Sequence, residues 1–116
     1  MSFGDNFYSN CNALYSVHEK IVFGDNCLLG WNVSCRDSDN HTVIYDGNPK
    51  LEDAAGITIG SHVWLCACVD IQKGVNIPND CVVAFRSLVT KPFYEDGILI
   101  GGHPAKKIKS NINWKK

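Results

Sequence analysis

Residues 59–88 read, in consecutive blocks of six, IGSHVW, LCACVD, IQKGVN, IPNDCV and VAFRSL. The first residue of each block is aliphatic, and the fifth is small or apolar. A helix has a period of about 3.6 residues and a strand a period of about 2, so neither alone produces this spacing. A six-residue repeat is typical of a parallel β-helix, in which each block forms one short strand and one corner. The predicted inward positions are Ile59, Leu65, Ile71, Ile77, Val83 and Val89, and Val63, Val69, Val75, Cys81 and Ser87.

The same register continues upstream of this stretch, with turn residues such as Gly24-Asp25-Asn26 at the predicted corners. Three blocks of six would make one three-sided turn of the coil, so the chain holds four to five turns. The upstream positions predicted to face inward are Cys11, Val17, Phe23, Leu29 and Cys35, and Tyr15, Ile21, Cys27 and Val33.

The repeat fails between Cys35 and Ile57, where the next block-opening residues would be His41, Gly47 and Asp53. These residues cannot fill an apolar core, so residues 36–56 are predicted to form a protruding loop. A loop of this length on a compact fold is usually functional. We expect one β-helical domain over residues 1–102. Residues 103–116 are then a short helical cap, with Pro104 at the first helical position.

The composition limits the possible partners and location. The 116 residues carry a net charge of −1, which gives no electrostatic reason to expect nucleic acid or an anionic membrane as partner. The apolar runs are too short for a membrane span, and the first residues show no signal peptide, so we expect a cytoplasmic protein.

The six cysteines are predicted to be reduced thiols rather than a disulfide framework or a metal site. Cys11 and Cys35 fall on one inward row and Cys27 and Cys81 on the other, where cysteine acts as a small hydrophobe. The only close pair, in Cys66-Ala67-Cys68, has no second pair at zinc spacing.

Four segments resemble the hexapeptide-repeat acetyltransferases, in particular the xenobiotic, galactoside and surface-polysaccharide O-acetyltransferases. These segments are the repeat itself, the run Val89-Thr90-Lys91, and the tail Gly101-Gly102-His103-Pro104-Ala105-Lys106, together with the loop sequence Asp37-Ser38-Asp39-Asn40-His41. The resemblance implies a left-handed parallel β-helix and a homotrimer. It also implies acetyl-CoA as acetyl donor, bound between neighbouring subunits, a sugar acceptor and no metal.

The resemblance assigns the general base to His41, on the one interruption of the repeat. A hydroxyl is a weak nucleophile at neutral pH, and imidazole is the side chain best matched to removing its proton. Asp37 and Asp39 are close enough in sequence to orient the ring, and we favour Asp39. The alternative for His41 is a solvated loop histidine.

On the acceptor side, Asn10 matches the asparagine that positions acceptor and thioester in the sugar acetyltransferases. Its amide can donate one hydrogen bond and accept another. Asn12 and Asn32 are alternatives, and each could equally hold only its own turn. Trp31 is a candidate to line the sugar site or to contact another subunit.

On the donor side, positions eighteen apart stack on successive turns, which predicts a column of Ala67, Phe85 and His103 along which a pantetheine arm could run. The lysines among the family's coenzyme-contact positions, named below, are point charges suited to phosphate. Relatives have small residues where Cys66, Phe85 and Arg86 stand, so bulk at these positions could narrow the channel. The coenzyme-contact positions of the family match Ala67, Phe85, Thr90, Lys91, Lys106 and Lys109.

Two other functions are compatible with the same coil. A non-catalytic trimeric scaffold derived from such enzymes would explain the bulky Phe85 and Arg86. A β-helical zinc lyase needs three converging histidines, but the four histidines of this chain are each more than twenty positions apart. We therefore predict an acetyl-CoA-dependent O-acetyltransferase that acts on a sugar hydroxyl.

Overall fold

The six-residue repeats form a left-handed parallel β-helix with three faces. The computed structural model describes residues 1–49 and 54–116. Four complete turns and part of a fifth are stacked along the axis, which confirms the predicted number of turns. The described part of the chain contains no helix, and hence none that could cross a membrane.

Each face of the coil is a parallel sheet with one strand per turn, and a corner follows each face. Face one contains β3 (Ile21–Phe23), β8 (Ile57–Ile59) and β11 (Asn76–Ile77). Face two contains β1 (Tyr8–Ser9), β4 (Leu28–Leu29), β9 (Trp64–Leu65), β12 (Val82–Val83) and β14 (Leu99–Gly102). Face three contains β2 (Leu14–Ser16), β5 (Ser34–Arg36), β10 (Asp70–Ile71) and β13 (Leu88–Val89). We number the corners after the faces that precede them.

The predicted inward positions of the second to fourth turns form the core. Every one of them from Ile59 to Val89 is at most 1% exposed, as are Ile21, Leu29 and Cys35. Burying an aliphatic side chain of this size stabilises a fold by about 1.5–3 kcal/mol. The stacked rows of the coil are therefore the main source of its stability.

Left-handed backbone conformations line the first two corners. Asn26, His62 and Asp80 stack at the first corner with φ of 59°, 55° and 60°. At the second corner, Cys68 and Arg86 have φ of 61° and 60°. Glycine, asparagine and aspartate adopt this conformation most easily, whereas other side chains are strained there. The predicted turn residues are therefore confirmed at the first corner, and the geometry gives a reason for a small residue where Arg86 stands.

The first turn departs from the predicted register. Tyr15 pairs with Cys35, twenty positions later rather than the expected eighteen, because the third corner between β2 and β3 holds two extra residues. The prediction that Cys11 and Val17 face the core is consequently wrong, and both are exposed.

Aromatic rings fill the open end of the prism at the first turn. The ring centroids of Phe3 and Phe7 lie 4.3 Å apart, and both rings contact Phe23 of the second turn, at 5.5 and 5.1 Å. Tyr15 adds an edge contact to Phe23 at 6.2 Å. This cluster covers apolar surface that the aliphatic rows leave at the end of the coil.

The predicted helix after Gly102 is wrong, because this segment forms a strand. The chain turns at Gly102, where φ is 113°, and β15 (Ala105–Lys109) pairs antiparallel with β14. A helix this short is unstable alone, whereas pairing satisfies the unpaired backbone groups of the last strand. Val83 pairs with Ile100 at a spacing of seventeen. The predicted column of residues therefore continues from Phe85 to Gly102 and not to His103.

Residues 110–116, which we call the tail strap, run back along the first corner. Ile112 N donates to the Gly97 carbonyl of the fifth turn at 3.0 Å. Further down, the Trp114 indole stacks on His62 at 4.2 Å, and its Nε1 donates to the His62 carbonyl at 2.9 Å. Lys116 Nζ lies 4.2 Å from the ring centroid of Tyr8 in the first turn. The tail strap therefore connects the fifth, third and first turns.

Replacing Trp114 by alanine should destabilise the prism strongly. Its side chain is only 9% exposed, and removing a buried tryptophan costs about 3–5 kcal/mol. Urea unfolding of Trp114→Ala measures this loss, with Tyr94→Ala as control because Tyr94 is 77% exposed. Equal, small effects of the two substitutions would mean that the tail strap does not hold the turns together.

The cysteines should differ in their reaction with iodoacetamide. Burial raises the pKa of Cys35 to about 12 and that of Cys66 to about 11, and thiols react as thiolates. Exposed Cys11 should be alkylated first in the native protein, and buried Cys27, Cys35 and Cys81 only after unfolding. Peptide mapping by mass spectrometry gives the order, and early labelling of Cys35 would contradict the burial described here.

Candidate active site

The second corner gathers five of the predicted binding residues on successive turns. Asn10 lies on the first turn, where its Nδ2 donates to the Leu29 carbonyl at 3.4 Å. Trp31 and Asn32 lie on the second turn, and the Trp31 side chain is 53% exposed. Ala67 and Phe85 follow on the third and fourth turns, in the same register as the paired strands β9 and β12. The corner thus presents two outward aromatic rings, Trp31 and Phe85, with the small Ala67 between them.

Phe85 is 57% exposed and carries a cationic neighbour. The guanidinium carbon of Arg86 lies 5.1 Å from the Phe85 ring centroid. The His103 ring Nε2 contacts the Arg86 carbonyl oxygen, although His103 itself lies outside the column that the structure forms from Ala67, Phe85 and Gly102. Both bulky side chains therefore lie at the outer surface of the corner rather than in the core.

The third corner holds the loop, and Asp37 fixes its first end. Asp37 is fully buried, and its carboxylate accepts hydrogen bonds from the backbone N–H groups of His18, Glu19 and Lys20 at 2.7, 2.7 and 2.8 Å. Burial alone would raise the pKa of this carboxyl. The three donors outweigh that effect, so the pKa of Asp37 lies below its ordinary value. Asp37 is therefore an ionised anchor whose oxygens are already occupied.

The next loop residues are attached to neighbouring turns. Asp39 Oδ2 lies 2.8 Å from Lys73 Nζ, and the Lys73 side chain is only 17% exposed. Asn40 Oδ1 contacts His18 Nε2 of the first turn. Ser38 forms an isolated bridge with Ala54, which joins the two ends of the loop. The chain is consequently held in place up to the residue before His41.

His41 itself is exposed, and its ring forms no hydrogen bond to any residue within 1–49 or 54–116. Beyond it the loop forms a hairpin of β6 (Ile44–Tyr45) and β7 (Asn48–Pro49) around Asp46 and Gly47. Ile44 and Tyr45 are 68% and 76% exposed. The predicted base therefore lies between a fixed loop root and an exposed apolar tip.

The predicted coenzyme residues are distributed over three corners. Lys106 of β15 pairs with Gly101, which places it beside the second corner, two strands beyond the strand β12 that precedes Phe85. Lys109 pairs with Leu99, at the other end of the same face. Thr90 and Lys91 are exposed at the third corner, and the Lys91 ammonium lies 5.6 Å from the Phe93 ring centroid.

The structure therefore brings most of the candidates together in two groups. The second corner holds Asn10, Trp31, Asn32, Ala67, Phe85 and Lys106, whereas the third corner holds His41, Asp39, Thr90 and Lys91. Lys109 belongs to neither group, because it lies at the first-corner end of face two. Face three separates the two groups within one chain.

The residues that hold the loop root were not predicted from the six-residue repeat. Lys73 and His18 read only as corner residues, because the partners of a loop cannot be counted from a six-residue repeat. One sequence feature could have indicated the anchoring role of Asp37: it follows directly after β5, where the chain leaves the coil. Among the described residues, no group of three His, Cys, Asp or Glu side chains converges as a metal site would require.

No protein-family model matches the chain, but individual proteins do. A putative acetyltransferase of Saccharomyces cerevisiae is 35% identical over 106 residues, which are 91% of this chain and 54% of that protein. The galactoside O-acetyltransferase of Escherichia coli is 32% identical over 107 residues, 91% of this chain and 52% of the relative. The chain thus spans about half the length of the curated relatives that it matches.

Solved structures share the same coil. The polysialic-acid-specific acetyltransferase NeuO superposes with a TM-score of 0.91 at 29% identity, over 98% of this chain and 53% of that one. A hexapeptide-repeat acetyltransferase of Vibrio cholerae, solved with acetyl-CoA, has a TM-score of 0.61 at 21% identity, over 95% of this chain and 67% of that one. The second similarity is one of fold.

Replacing Asp37 by asparagine should destabilise the chain at neutral pH. The amide cannot accept all three backbone donors, and losing charge-assisted hydrogen bonds costs about 1–3 kcal/mol. Because folding lowers the pKa of Asp37, its contribution is present above the ordinary carboxyl pKa of about 3.9 and is lost as the pH falls through the lowered value. Urea unfolding at neutral and acid pH measures the difference from wild type, which should shrink in acid.

Asp25→Asn is the matched control, because within the described residues the Asp25 carboxylate accepts one backbone N–H, that of Asp5, at 2.8 Å. A loss for Asp37→Asn no larger than that of the control would contradict the anchoring role.

Proposed function

The chain belongs to the hexapeptide-repeat acetyltransferases, and from this premise we propose that it transfers the acetyl group of acetyl-CoA to a saccharide hydroxyl. The observation that carries the proposal is the exposed His41 on a loop whose root is fixed on both sides by neighbouring turns. The named activities of the galactoside O-acetyltransferase and of NeuO support a saccharide as acceptor.

In the proposed reaction, His41 accepts the proton of the acceptor hydroxyl while the oxygen attacks the thioester carbonyl carbon. The carbon–sulfur bond then breaks, the sulfur leaves with the coenzyme, and the imidazolium returns its proton to the thiolate. Two features of His41 support this role. Its ring is exposed, and it has no hydrogen bond within the described ranges that would have to break before a hydroxyl could reach it. Asp39 contributes by fixing the segment from which the ring projects.

We assign the acceptor and the donor to the second corner. Asn10, Asn32 and Trp31 would bind the sugar, since amide groups and an aromatic face are suited to hydroxyl groups and to the apolar face of a sugar ring. The pantetheine arm would pass Ala67 and Phe85, with Lys106 and Lys109 near the phosphates and Thr90 and Lys91 of the third corner completing the contacts. What supports this assignment is the position of Lys106 beside the column of Ala67 and Phe85.

We further propose that the complete site forms between copies of the chain, as a homotrimer would allow. Within one chain, face three lies between the second corner and the loop that carries His41. The loop projects from the coil and ends in the exposed Ile44 and Tyr45. In this proposal, a neighbouring copy supplies the second corner that completes the site around His41.

The second candidate function is a non-catalytic scaffold. The outward position of Phe85 and Arg86 weakens this alternative. Phe85 is 57% exposed with the Arg86 guanidinium beside its ring, so this pair narrows the corner only on its outer side. Among the described residues, the backbone N–H groups of Ala67 and Phe85 form no hydrogen bond and stay available to a ligand, which favours the enzyme.

Replacing His41 by alanine should abolish most of the transfer. Loss of a general base lowers the rate by about 10²–10⁴-fold. The assay follows thiol release from acetyl-CoA with a panel of saccharides. His62→Ala is the matched control, because His62 lies at the first corner, outside both the loop and the second corner. Equal rates for wild type and His41→Ala would remove His41 as base. Wild type that neither binds nor consumes acetyl-CoA would favour the scaffold.

A further inference from the structure

We propose that Lys73 is a positioning residue for the reaction, and that it holds His41 in place through Asp39. The inference rests on the proposed function, because it takes His41 to be the base. Lys73 would touch neither substrate, and its effect would pass through the backbone that joins Asp39 to His41.

The ion pair of Lys73 and Asp39 joins the loop to the coil above it and is largely shielded from solvent. Lys73 follows β10 at the third corner, one turn above the point where the loop leaves the coil. The side chains of Lys73 and Asp39 are 17% and 32% exposed, with 2.8 Å between Nζ and Oδ2. For comparison, the ion pair of Lys107 and Glu95 at 2.7 Å has exposed fractions of 45% and 51%. A less exposed ion pair is screened less by water and salt, so the attraction between Lys73 and Asp39 is stronger than that between Lys107 and Glu95.

The loop root is attached alternately to the turn below and to the turn above. Asp37 and Asn40 contact residues 18–20 of the first turn, whereas Asp39 contacts Lys73 of the third turn. The contact below is made largely to backbone N–H groups, which every sequence provides. The contact with the third turn depends on the Lys73 side chain. Lys73 therefore determines the position of the loop root between the first and third turns.

The returning end of the loop arrives at the same place. Ala55 N donates to the Asp37 carbonyl at 2.9 Å, and Gly74 N donates to the Ala55 carbonyl at 2.8 Å. Both ends of the loop are therefore joined to the corner that carries Lys73. A shift of this corner would move the loop as a unit, and a displacement of about 1 Å at a reacting group can cost about 10²-fold in rate.

The test compares Lys73→Met and Lys73→Arg with Lys107→Met, which removes the lysine of the ion pair with Glu95. We expect Lys73→Met to lower kcat by about 10–100-fold while the KM for acetyl-CoA changes less than about twofold. Lys73→Arg should restore most of the activity, and Lys107→Met should leave it unchanged. The charge-swapped pair Asp39→Lys with Lys73→Asp should be more active than either single variant.

A second readout does not need turnover. Hydrogen exchange at the amides of residues 38–41 should become faster in Lys73→Met and stay unchanged in Lys107→Met, with the free energy of global unfolding little altered. Unchanged exchange at these amides, or unchanged kcat in an active enzyme, would overturn the role of Lys73. A wild type without transferase activity would instead overturn the proposed function, while the exchange result would still decide whether Lys73 holds the loop.

Discussion

The buried carboxylate of Asp37 is the interaction on which the rest of the site depends. It lies where the chain leaves the coil, and it accepts the N–H groups of three consecutive residues of the first turn. Those residues belong to the third corner that is two positions longer than the repeat requires. The enlarged corner thus exposes backbone donors that one carboxylate can bind together. The first turn and the loop root consequently stabilise one another.

The third corner is where this coil changes its length. Phe23 pairs with Ile59 at thirty-six positions, twice the normal turn, so the loop adds the equivalent of one turn and the register of every face is kept. The number of residues per turn also changes after Val89, since Val83 pairs with Ile100 at a spacing of seventeen. In this segment Phe93 N donates to the Asn76 carbonyl at 2.7 Å. The first two corners, by contrast, repeat the same left-handed conformation from turn to turn. A coil can therefore carry an insertion at one corner without losing its core.

The sequence predicts the core well, because a six-residue period directly reports which side chains face inward. It predicted the second to fourth turns and the position of the loop, and it failed where the count changes, at Cys11, Val17 and His103. The helix predicted at Pro104 failed because an unpaired strand edge outweighs a local helix signal. The contacts of Asp37, Asp39 and Asn40 were out of reach, since they join residues about twenty to thirty-five positions apart across an irregular loop. The roles of Asn10, Asn32, Trp31 and the coenzyme lysines stay predictions.

The regular corners thus offer a surface for an extended ligand, whereas the irregular third corner carries His41, the proposed general base. We have proposed that the second corner binds coenzyme A. Isothermal titration of the chain with coenzyme A and with its 3′-dephospho form is the test of this binding. We predict saturable binding with a dissociation constant below about 1 mM, weaker for the dephospho form because the lysines lose a phosphate partner. Absence of saturable binding by either form would contradict the account.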